Sequence, residues 1–320
     1  MRVLITGITG FVGSHLTDYI LRAHPEVEVF GLKRWRSPRE TIRHIEDKIN
    51  LYDGDLRDLT SMLTMIEEIR PDWIFHLAAQ SYVPYSYATP NDTLTTNIIG
   101  TANLLEAVRL VGIDPKIHIC SSPEVYGQPE DKDVPITENC PLRPVSPYAV
   151  SKVGEDTLAY MYYQAYGLKT IRSRAFTHTG PRRGEVFVVS AFAKQLAQIE
   201  KGLQRPIIRV GNLDSVRTFC DVRDIVRAYW LLLEKGEPGE VYNIAGKETM
   251  TVEAMLKLLL SLSPMGDSIE TKVDERLLRP KDVTLQIADC SKFESLTGWK
   301  PRIPFKKTLE DTLNYWRELV

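Results

Sequence analysis

The segment Arg2–Gly13, RVLITGITGFVG, decides the fold of this 320-residue chain. Its first five residues are mostly aliphatic or β-branched, which predicts a buried β-strand. Glycines follow at positions 7, 10 and 13, and a helix-like stretch, Ser14–Arg22, comes next. Glycines between a strand and a helix permit a tight turn and let backbone N–H groups approach a pyrophosphate at the helix N-terminus. The order of strand, glycine turn and helix therefore predicts a dinucleotide-binding βαβ unit.

The first half of the chain continues to alternate strand-like and helix-like stretches, which predicts a parallel sheet with right-handed crossovers. The predicted strands are Val27–Leu32, Trp73–Leu77, Lys116–Cys120 and Thr170–Arg174, and the predicted helices are Leu59–Ile69, Asn97–Val108 and Pro147–Tyr166. After Phe176 the alternation weakens, and helices are predicted at Glu185–Gly202, Met250–Ser263 and Thr308–Leu319. We expect an α/β fold: a Rossmann-type doubly wound parallel sheet in residues 1–176, joined by some later segments. A smaller α/β lobe, mainly residues 177–320, is expected to bind the substrate.

Composition and charge exclude several classes of protein. The chain has 40 Lys and Arg against 42 Asp and Glu, a net charge of −2, so it has no overall basic field to hold a nucleic acid. It has no apolar run of about 18 residues, the length that a membrane span needs. Its first residues enter a predicted strand at once, so we expect no signal peptide. The four cysteines lack the spacing of a metal site or a disulfide framework, so we expect reduced thiols, no metal and a cytoplasmic location.

The end of the second predicted strand indicates which dinucleotide binds. An acidic residue there would bond the ribose hydroxyl of NAD and repel a 2′-phosphate. The segment Lys33–Ser37, KRWRS, instead carries three cations and a hydroxyl. Guanidinium groups hold phosphate through charge-assisted hydrogen bonds, so we expect NADP(H). The alternative is a solvated basic loop or a contact between subunits.

Three polar residues, Ser122, Tyr148 and Lys152, are the first catalytic candidates. Tyr148 and Lys152 are four residues apart on a predicted helix and therefore share one face. An ammonium beside a phenol favours the phenolate, so we expect Lys152 to lower the pKa of Tyr148. Ser122 follows a predicted strand, where its hydroxyl can hold the substrate oxygen that gains or loses a proton. The alternative, a packed tyrosine with a snorkelling lysine, is disfavoured by the glycine turn upstream.

The predicted cofactor contacts combine these features with residues at the ends of later strands. They are Gly7, Thr9, Gly10, Phe11, Val12, Gly13, Arg34, Arg36, Ser37, Asp55, Leu56, Leu77, Ala78, Ala79, Tyr148 and Lys152.

Motifs along nearly the whole chain resemble those of the extended short-chain dehydrogenases/reductases, in their nucleotide-sugar branch. Besides the glycine turn they are HLAA at 76–79, NIIGT at 97–101, Ser122 with VYG at 125–127, SPY at 146–148 with Lys152, and GWKP at 298–301. Within that branch the chain is most similar to the GDP-mannose 4,6-dehydratases and the related GDP-4-keto-6-deoxymannose reductases. The resemblance implies an NADP-dependent enzyme whose substrate is GDP-mannose or a related nucleotide sugar.

Some segments favour a dehydratase and others a reductase. Lys33–Ser37 resembles the basic loop that dehydratases use for NADP and tetramer contacts, and His178–Glu185, HTGPRRGE, resembles their signature. Glu124 matches the carboxylate that acts on C5 and C6 of the hexose. Gly211–Arg217 and Asp221–Val226 resemble the reductases instead. We expect a dehydratase, a lyase with Glu124 as a fourth catalytic residue, and keep a reductase or another nucleotide-sugar epimerase or dehydratase as alternatives.

Two departures from the dehydratase pattern bear on this choice. Ser122 stands where dehydratases usually have Thr, and Pro123 stands where Ser or Asp is usual. An elimination would therefore depend on Glu124 alone. A non-enzymatic dinucleotide sensor on the same fold is a further alternative, which the presence of Ser122, Tyr148 and Lys152 together disfavours.

The resemblance also implies substrate contacts in the C-terminal lobe and an oligomer. Arg217, Arg279 and Lys194 are expected to hold the diphosphate, and Asn212 to meet the ribose or the base. For each arginine a surface salt bridge is the alternative. The full expected set is Ser86, Thr177, Arg183, Val188, Lys194, Asn212, Arg217 and Arg279. Relatives pair through the helices that correspond to Asn97–Val108 and Tyr148–Tyr166, which implies a homodimer or a homotetramer.

Overall fold

The computed structural model describes residues 1–320 and contains thirteen β-strands and eleven α-helices. The strands are β1 (Arg2–Thr6), β2 (Glu28–Lys33), β3 (Asn50–Asp53), β4 (Trp73–His76), β5 (Lys116–Cys120), β6 (Thr170–Ala175), β7 (His178–Thr179), β8 (Ile207–Val210), β9 (Val216–Asp221), β10 (Val241–Ile244), β11 (Glu248–Thr251), β12 (Glu270–Val273) and β13 (Leu285–Gln286). The helices are α1 (Phe11–Ala23), α2 (Leu59–Ile69), α3 (Val83–Ala88), α4 (Pro90–Leu94), α5 (Gly100–Val111), α6 (Pro147–Tyr166), α7 (Val188–Glu200), α8 (Val222–Lys235), α9 (Val252–Leu260), α10 (Ser291–Thr297) and α11 (Phe305–Leu319).

Seven strands form one parallel sheet at the centre of the molecule. Their order is β10-β6-β5-β4-β1-β2-β3, and every neighbouring pair is parallel. The strand order reverses between β1 and β4. Ligands of such sheets bind at this switch point, at the carboxyl ends of the strands. The predicted Rossmann-type doubly wound sheet is therefore confirmed.

Alternate residues of the strands fill separate cores on the two faces of the sheet. Val3 and Ile5 of β1 pack with apolar residues of α1 and α8. Leu4, between them, faces the other side and packs with apolar residues of α2, α5 and α6. Successive side chains of a strand point to opposite faces, so a continuous apolar run buries both.

The C-terminal part of the chain crosses between two lobes. Strand β10 joins the large sheet, and α8 packs against α1. The smaller lobe contains the strands β11-β9-β13, with β7 on β9, and the pair β12-β8. Helices α7, α9 and α11 enclose a separate core there. The assignment of residues 177–320 mainly to substrate binding remains a prediction.

No helix of this structure has the length and hydropathy to cross a membrane.

Several predicted element boundaries were wrong. The first helix begins at Phe11 and not at Ser14, since it starts directly at the glycine turn. The helix predicted from Met250 begins at Val252, because the side chain of Thr251 accepts a hydrogen bond from the N–H of Ala254 and caps it. The helix predicted from Asn97 begins at Gly100, because Asn97 lies in a π-helical turn, Thr95–Ile99, that joins α4 to α5.

Candidate active site

The glycine turn after β1 packs so closely against neighbouring backbone that it has no room for side chains at Gly7 and Gly13. Gly7 has φ +71°, and a Cβ there would lie 2.8 Å from the Cα of Ala78. A Cβ on Gly13 would lie 2.3 Å from the carbonyl oxygen of Gly7. No side chain caps the first turn of α1, whose N-cap residue is Gly10. The turn and the open helix N-terminus therefore fit the pyrophosphate of a dinucleotide.

A cleft of about 1730 Å³ opens at the carboxyl ends of the sheet strands and extends under the smaller lobe. All four candidate catalytic residues line it, and so do most of the predicted cofactor and substrate residues. The predicted residues that line it are Gly7, Thr9, Gly10, Phe11, Val12, Gly13, Arg34, Ser37, Asp55, Leu56, Leu77, Ala78, Ala79, Ser122, Glu124, Tyr148, Lys152, Thr177, Arg183, Val188, Asn212, Arg217 and Arg279.

Three predicted contacts do not line the cleft. The guanidinium of Arg36 lies 4.9 Å from the centroid of the exposed Trp35 ring. The hydroxyl of Ser86 is fully buried and donates to the carbonyl of Val83 at 2.6 Å. The ammonium of Lys194 is paired with Glu185. Each side chain contacts a neighbour along the chain instead of the cleft, which spacing in the sequence did not reveal.

The loop after β2 places one guanidinium at the cleft. Arg34 and Ser37 close a turn in which the Ser37 N–H donates to the Arg34 carbonyl at 2.9 Å. The Ser37 hydroxyl oxygen accepts from the Arg34 N–H at 3.1 Å. Lys33, by contrast, is buried and bonded to Asp53 of β3. Of the three cations in this loop, Arg34 is the one that is both exposed and part of the cleft lining.

Lys152 is held in a fixed position beside Tyr148. Its ammonium donates to the carbonyl of Cys120 at 2.9 Å and to Oε2 of Glu155 at 2.9 Å. It lies 5.9 Å from the centroid of the Tyr148 ring. Ser146 caps the N-terminus of α6, because its hydroxyl accepts from the N–H of Ala149, and this places Tyr148 in the first turn.

The pKa of Tyr148 is raised, which corrects the expectation that Lys152 lowers it overall. Burial of the phenol is the largest effect and raises the pKa. The ammonium of Lys152 and a hydrogen bond with Ser122 act in the expected direction but do not outweigh burial. The carboxylate of Glu155 adds to the upward shift. The sequence pattern identified the partners of Tyr148 but not how deeply the phenol is buried.

Glu124 lies in a short 3₁₀ turn that begins after Ser122. The Ser122 hydroxyl oxygen accepts from the N–H of Glu124 at 3.2 Å and caps the turn. The Glu124 carboxylate lines the cleft, where its Oε1 accepts from the side-chain amide of Gln286 at 3.3 Å. Gln286 is 2% exposed and lies on β13, next to Arg217 in the register with β9. Sequence reasoning missed Gln286, since no pattern connects it with a residue 162 positions away.

Two arginines of the smaller lobe converge on one carboxylate. Oδ1 of Asp282 lies 3.9 Å from the Arg217 guanidinium and 3.7 Å from that of Arg279. Its Oδ2 accepts from the side chains of Asn212 at 2.9 Å and Ser215 at 3.0 Å. Burial lowers the pKa of Arg217, and Glu124 and Asp282 oppose that shift. Two guanidinium groups that share a single carboxylate leave net positive charge, which suits a diphosphate.

The loop after β7 covers the glycine turn. The Arg183 guanidinium lies between the rings of Phe11 and Phe187, 4.8 Å and 3.7 Å from their centroids, and burial lowers its pKa to about 10. The His178 ring stacks on Phe11 with centroids 6.2 Å apart and also lines the cleft. Sequence reasoning did not assign His178 a role, although it opens the HTGPRRGE segment.

Comparisons with known proteins agree with this geometry. A family model described as GDP-mannose 4,6 dehydratase matches residues 4–312. The GDP-6-deoxy-D-mannose reductase of Pseudomonas aeruginosa is 32% identical, over 100% of this chain and 98% of the relative. GDP-mannose 4,6 dehydratase 2 of Arabidopsis thaliana is 36% identical, over 96% of this chain and 84% of the relative.

A solved structure, RMD from Pseudomonas aeruginosa complexed with NADPH, superimposes with a TM-score of 0.86 at 32% identity. The alignment covers 100% of this chain and 99% of that one, so both lobes are shared. The motifs identified in the sequence, the fold and these matches agree. The chain belongs to the GDP-mannose 4,6-dehydratase family of extended short-chain dehydrogenases/reductases.

Proposed function

We propose that this enzyme is an NADP-dependent GDP-mannose 4,6-dehydratase, which converts GDP-mannose to GDP-4-keto-6-deoxymannose. The observation that carries the proposal is the position of Glu124. Its carboxylate lines the same cleft as Tyr148 and Lys152. It also belongs to a turn that Ser122 caps. The site therefore offers a second acid/base besides Tyr148, which an elimination needs and a simple reduction does not.

NADP(H) is the cofactor that the cleft favours. The residues that would hold it are the glycine turn for the pyrophosphate, Arg34 and Ser37 for the 2′-phosphate, and Tyr148 and Lys152 beside the nicotinamide ribose. NADPH is the ligand in the structure of the Pseudomonas aeruginosa relative. When bound, NADP⁺ supplies a hydride acceptor that returns the hydride later in the same cycle.

We expect Arg34→Ala to weaken NADPH binding about ten- to a hundredfold, because it removes a charge-assisted hydrogen bond to the 2′-phosphate. NADH, which lacks that phosphate, should bind as before. The matched control is Arg36→Ala. It removes an equal charge two residues further along the chain, from a side chain that does not line the cleft. Titration of each protein with NADPH and with NADH, followed by cofactor fluorescence, measures the dissociation constants of the wild type and both variants. Equal losses in the two variants would mean that the loop acts only through its overall charge.

The residues of the chain divide the proton transfers between them. Tyr148 takes the proton from the C4 hydroxyl as the hydride leaves C4, and Ser122 holds the same oxygen. The resulting 4-keto group acidifies the proton on C5, which Glu124 removes. Glu124 then gives a proton to the C6 hydroxyl as it leaves as water. Hydride returns to C6, so the cofactor ends unchanged. C5 then takes a proton from solvent, which balances the proton that Tyr148 took from the C4 hydroxyl and releases, and Glu124 is left as the carboxylate.

The smaller lobe supplies charge for the nucleotide part of the substrate. The guanidinium groups of Arg217 and Arg279 both lie within 4 Å of Oδ1 of Asp282, and both residues line the cleft. Asp282 is the one carboxylate that pairs with either guanidinium, so both groups can still form charge-assisted hydrogen bonds with a bound diphosphate. Asn212, bonded to Asp282, is the nearest predicted contact for the ribose or base.

Gln286→Leu is expected to lower kcat about tenfold with little change in KM, because it removes one hydrogen bond to the charged Glu124. Steady-state kinetics with GDP-mannose checks this. The matched control is Gln128→Leu: the side-chain Oε1 of Gln128 accepts from the N–H and the hydroxyl of Thr284, beside β13, and makes no hydrogen bond with Glu124. A higher KM with unchanged kcat would instead indicate that Gln286 binds the substrate.

A second candidate function is the NADPH-dependent reduction of GDP-4-keto-6-deoxymannose. One observation favours it: the chain spans 98% of the Pseudomonas aeruginosa reductase but 84% of the Arabidopsis dehydratase. Tyr148, Lys152 and Ser122 would suffice for this reaction. Glu124 would then have no part in it.

Mass spectrometry of the sugar nucleotide separates the two functions. With GDP-mannose and catalytic NADP⁺, the dehydratase predicts loss of one water and no net change in the cofactor. If GDP-mannose survives, the 4-keto-6-deoxy sugar is supplied with NADPH. Turnover in that second assay alone would establish the reductase and contradict the role of Glu124.

A homodimer or homotetramer in the cytoplasm remains part of the proposal. Exposed apolar side chains on α6 and on the π turn before α5, Ile99, Val150, Tyr160 and Met161, support pairing through these helices. All four cysteines are free thiols, which accords with a reducing compartment.

A further inference from the structure

A buried carboxylate, Glu155, lies one helical turn after Lys152 in α6. Its side chain is 1% exposed. Oε2 accepts from the Lys152 ammonium at 2.9 Å, and Oε1 has no hydrogen-bond partner. The adjacent Asp156 is just as buried but is fully used by Arg172 and Arg174, at 2.9 to 3.1 Å. Lys152 is therefore the single partner of Glu155.

The other contacts of Lys152 show what this pair does. A second N–H of the ammonium donates to the carbonyl of Cys120, the last residue of β5, at 2.9 Å. These two bonds fix the nitrogen between α6 and the end of β5 and leave its third N–H for the cleft. The Tyr148 ring centroid lies 5.9 Å away on the same helix face.

We propose that Glu155 is a positioning residue for the reaction: it fixes the Lys152 ammonium beside Tyr148 and offsets the positive charge that the ammonium exerts on the phenol. A carboxylate 2.9 Å from the nitrogen makes a nearly neutral pair with it. In a buried site such a pair acts on a neighbouring group much less than the ammonium alone. The inference rests on the acid/base role of Tyr148 and Lys152 in the proposed function.

Burial affects both partners of the pair. It raises the pKa of Glu155 to about 7, even though Lys152 favours the carboxylate. It disfavours the Lys152 ammonium, but Glu155 and Tyr148 outweigh that effect and the pKa of Lys152 is raised. Glu155 in turn raises the pKa of Tyr148. The three groups therefore titrate as a coupled set.

Other titratable and charged groups surround this set on every side, and none of them forms a salt bridge with it. His76 and His118 have pKa values of about 3 because they are buried, so they stay neutral near pH 7. Burial also raises the pKa of Cys120 and of Tyr229, which keeps them protonated. The remaining charged groups are Asp156 on α6, Arg172 and Arg174 on β6, and Arg183 after β7.

Removal of the negative charge of Glu155 shifts the titration of the Tyr148–Lys152 pair in the same direction whether Tyr148 or Lys152 carries the proton. Without Glu155 the uncompensated ammonium favours the phenolate of Tyr148, and burial favours neutral Lys152. Both changes lower the pH at which the Tyr148–Lys152 pair loses its first proton. A nearby charge shifts a pKa by about one to three units, and we expect a fall of about one to two.

The test is the pH dependence of kcat/KM in Glu155→Gln, a change of charge at constant shape. We expect the limb that reports the Tyr148–Lys152 pair to move about one to two pH units lower. This limb is the acid limb for a dehydratase, which needs the phenolate, and the basic limb for a reductase, which needs the phenol. The direction of the shift is the same in both. An unchanged limb in a folded variant would overturn the proposal.

Two controls separate this effect from a structural one. Glu106→Gln removes an equal charge from α5, where the carboxylate pairs with Arg109, and should leave the profile unchanged. Glu155→Met replaces the carboxylate by an apolar side chain of similar length. It should give the same shift if Glu155→Gln does not fold. Loosened packing alone would lower the melting temperature without displacing the limb.

A measurement without substrate keeps this inference independent of the proposed function. The phenolate of Tyr148 is followed as the difference in ultraviolet absorbance between each protein and the same protein carrying Tyr148→Phe. With Gln at position 155 the difference signal should rise at lower pH than with Glu. If GDP-mannose is not turned over but this shift is found, the proposed function fails and the role of Glu155 stands. If turnover is found but neither readout shifts, the role of Glu155 fails alone.

Discussion

Tyr148→Phe is expected to lower kcat by about a hundred- to ten-thousandfold, the usual contribution of a positioned acid/base. The variant keeps the ring that packs in the first turn of α6 and loses only the phenolic oxygen that takes the proton of the C4 hydroxyl. KM should change little, because the diphosphate contacts lie in the other lobe. Steady-state turnover of GDP-mannose measures both constants.

The matched control for this variant is Tyr163→Phe, a change of the same atoms on the same helix, at a ring that packs near Gly239 and does not line the cleft. It should leave turnover unchanged. Because burial raises the pKa of Tyr148, activity of the wild type in the dehydratase direction should rise with pH until the phenolate forms. A Tyr148→Phe enzyme that retains a tenth of its activity would remove Tyr148 from the chemistry.

Glu124→Gln is expected to stop the reaction after its first half, with overall turnover reduced at least about a hundredfold. Tyr148 and Lys152 are untouched, so oxidation at C4 should proceed and reduced cofactor should accumulate on the enzyme. Glutamine cannot remove the C5 proton, so the hydroxyl should stay on C6. A single-turnover experiment that follows the absorbance of reduced nicotinamide detects the arrested state.

The matched control is Glu130→Gln, which removes a carboxylate that pairs with Lys132 and Arg143. It should leave both halves of the reaction intact. Glu124→Gln enzyme that still releases the 4-keto-6-deoxy sugar at the wild-type rate would contradict the assigned role. Loss of turnover without any reduced cofactor would place Glu124 in the first half instead.

The sequence was sufficient to predict the sheet, and it also predicted that Ser122, Tyr148 and Lys152 lie together, because both features depend on local patterns. Gly7 and Gly13 are required by their immediate surroundings, since a Cβ at either position would collide with backbone. Tyr148 and Lys152 are four residues apart, so the helix period alone brings them together. Ser122 follows β5, and the carboxyl ends of parallel strands meet at one edge.

Residues that depend on the packing of distant elements were not predictable in the same way. Gln286 meets Glu124 because β13 lies beside β9, a pairing with no local signal. Lys194 and Ser86 were expected in the cleft, but Glu185 and the carbonyl of Val83 hold them elsewhere. Burial of Tyr148 reversed the expected direction of its pKa, and burial is a property of the assembled lobes.

Glu155 shows the same limit within a single helix. Its spacing of three residues from Lys152 was available from the sequence, but an exposed pair at this spacing stabilises a helix only weakly. What gives the pair its influence is the 1% exposure of Glu155 and the carbonyl of Cys120 on the other side of the nitrogen. Both follow from the packing of α6 on the sheet.

The most direct test of the dehydratase assignment uses GDP-mannose that carries deuterium on C4, with NADP⁺ in catalytic amount. Tandem mass spectrometry then locates the label in the product. The account predicts a product that has lost one water and carries the deuterium on C6, because the hydride leaves C4 and returns to C6 in one active site. Deuterium returned to C4 without loss of water, or GDP-mannose recovered unchanged, would contradict it.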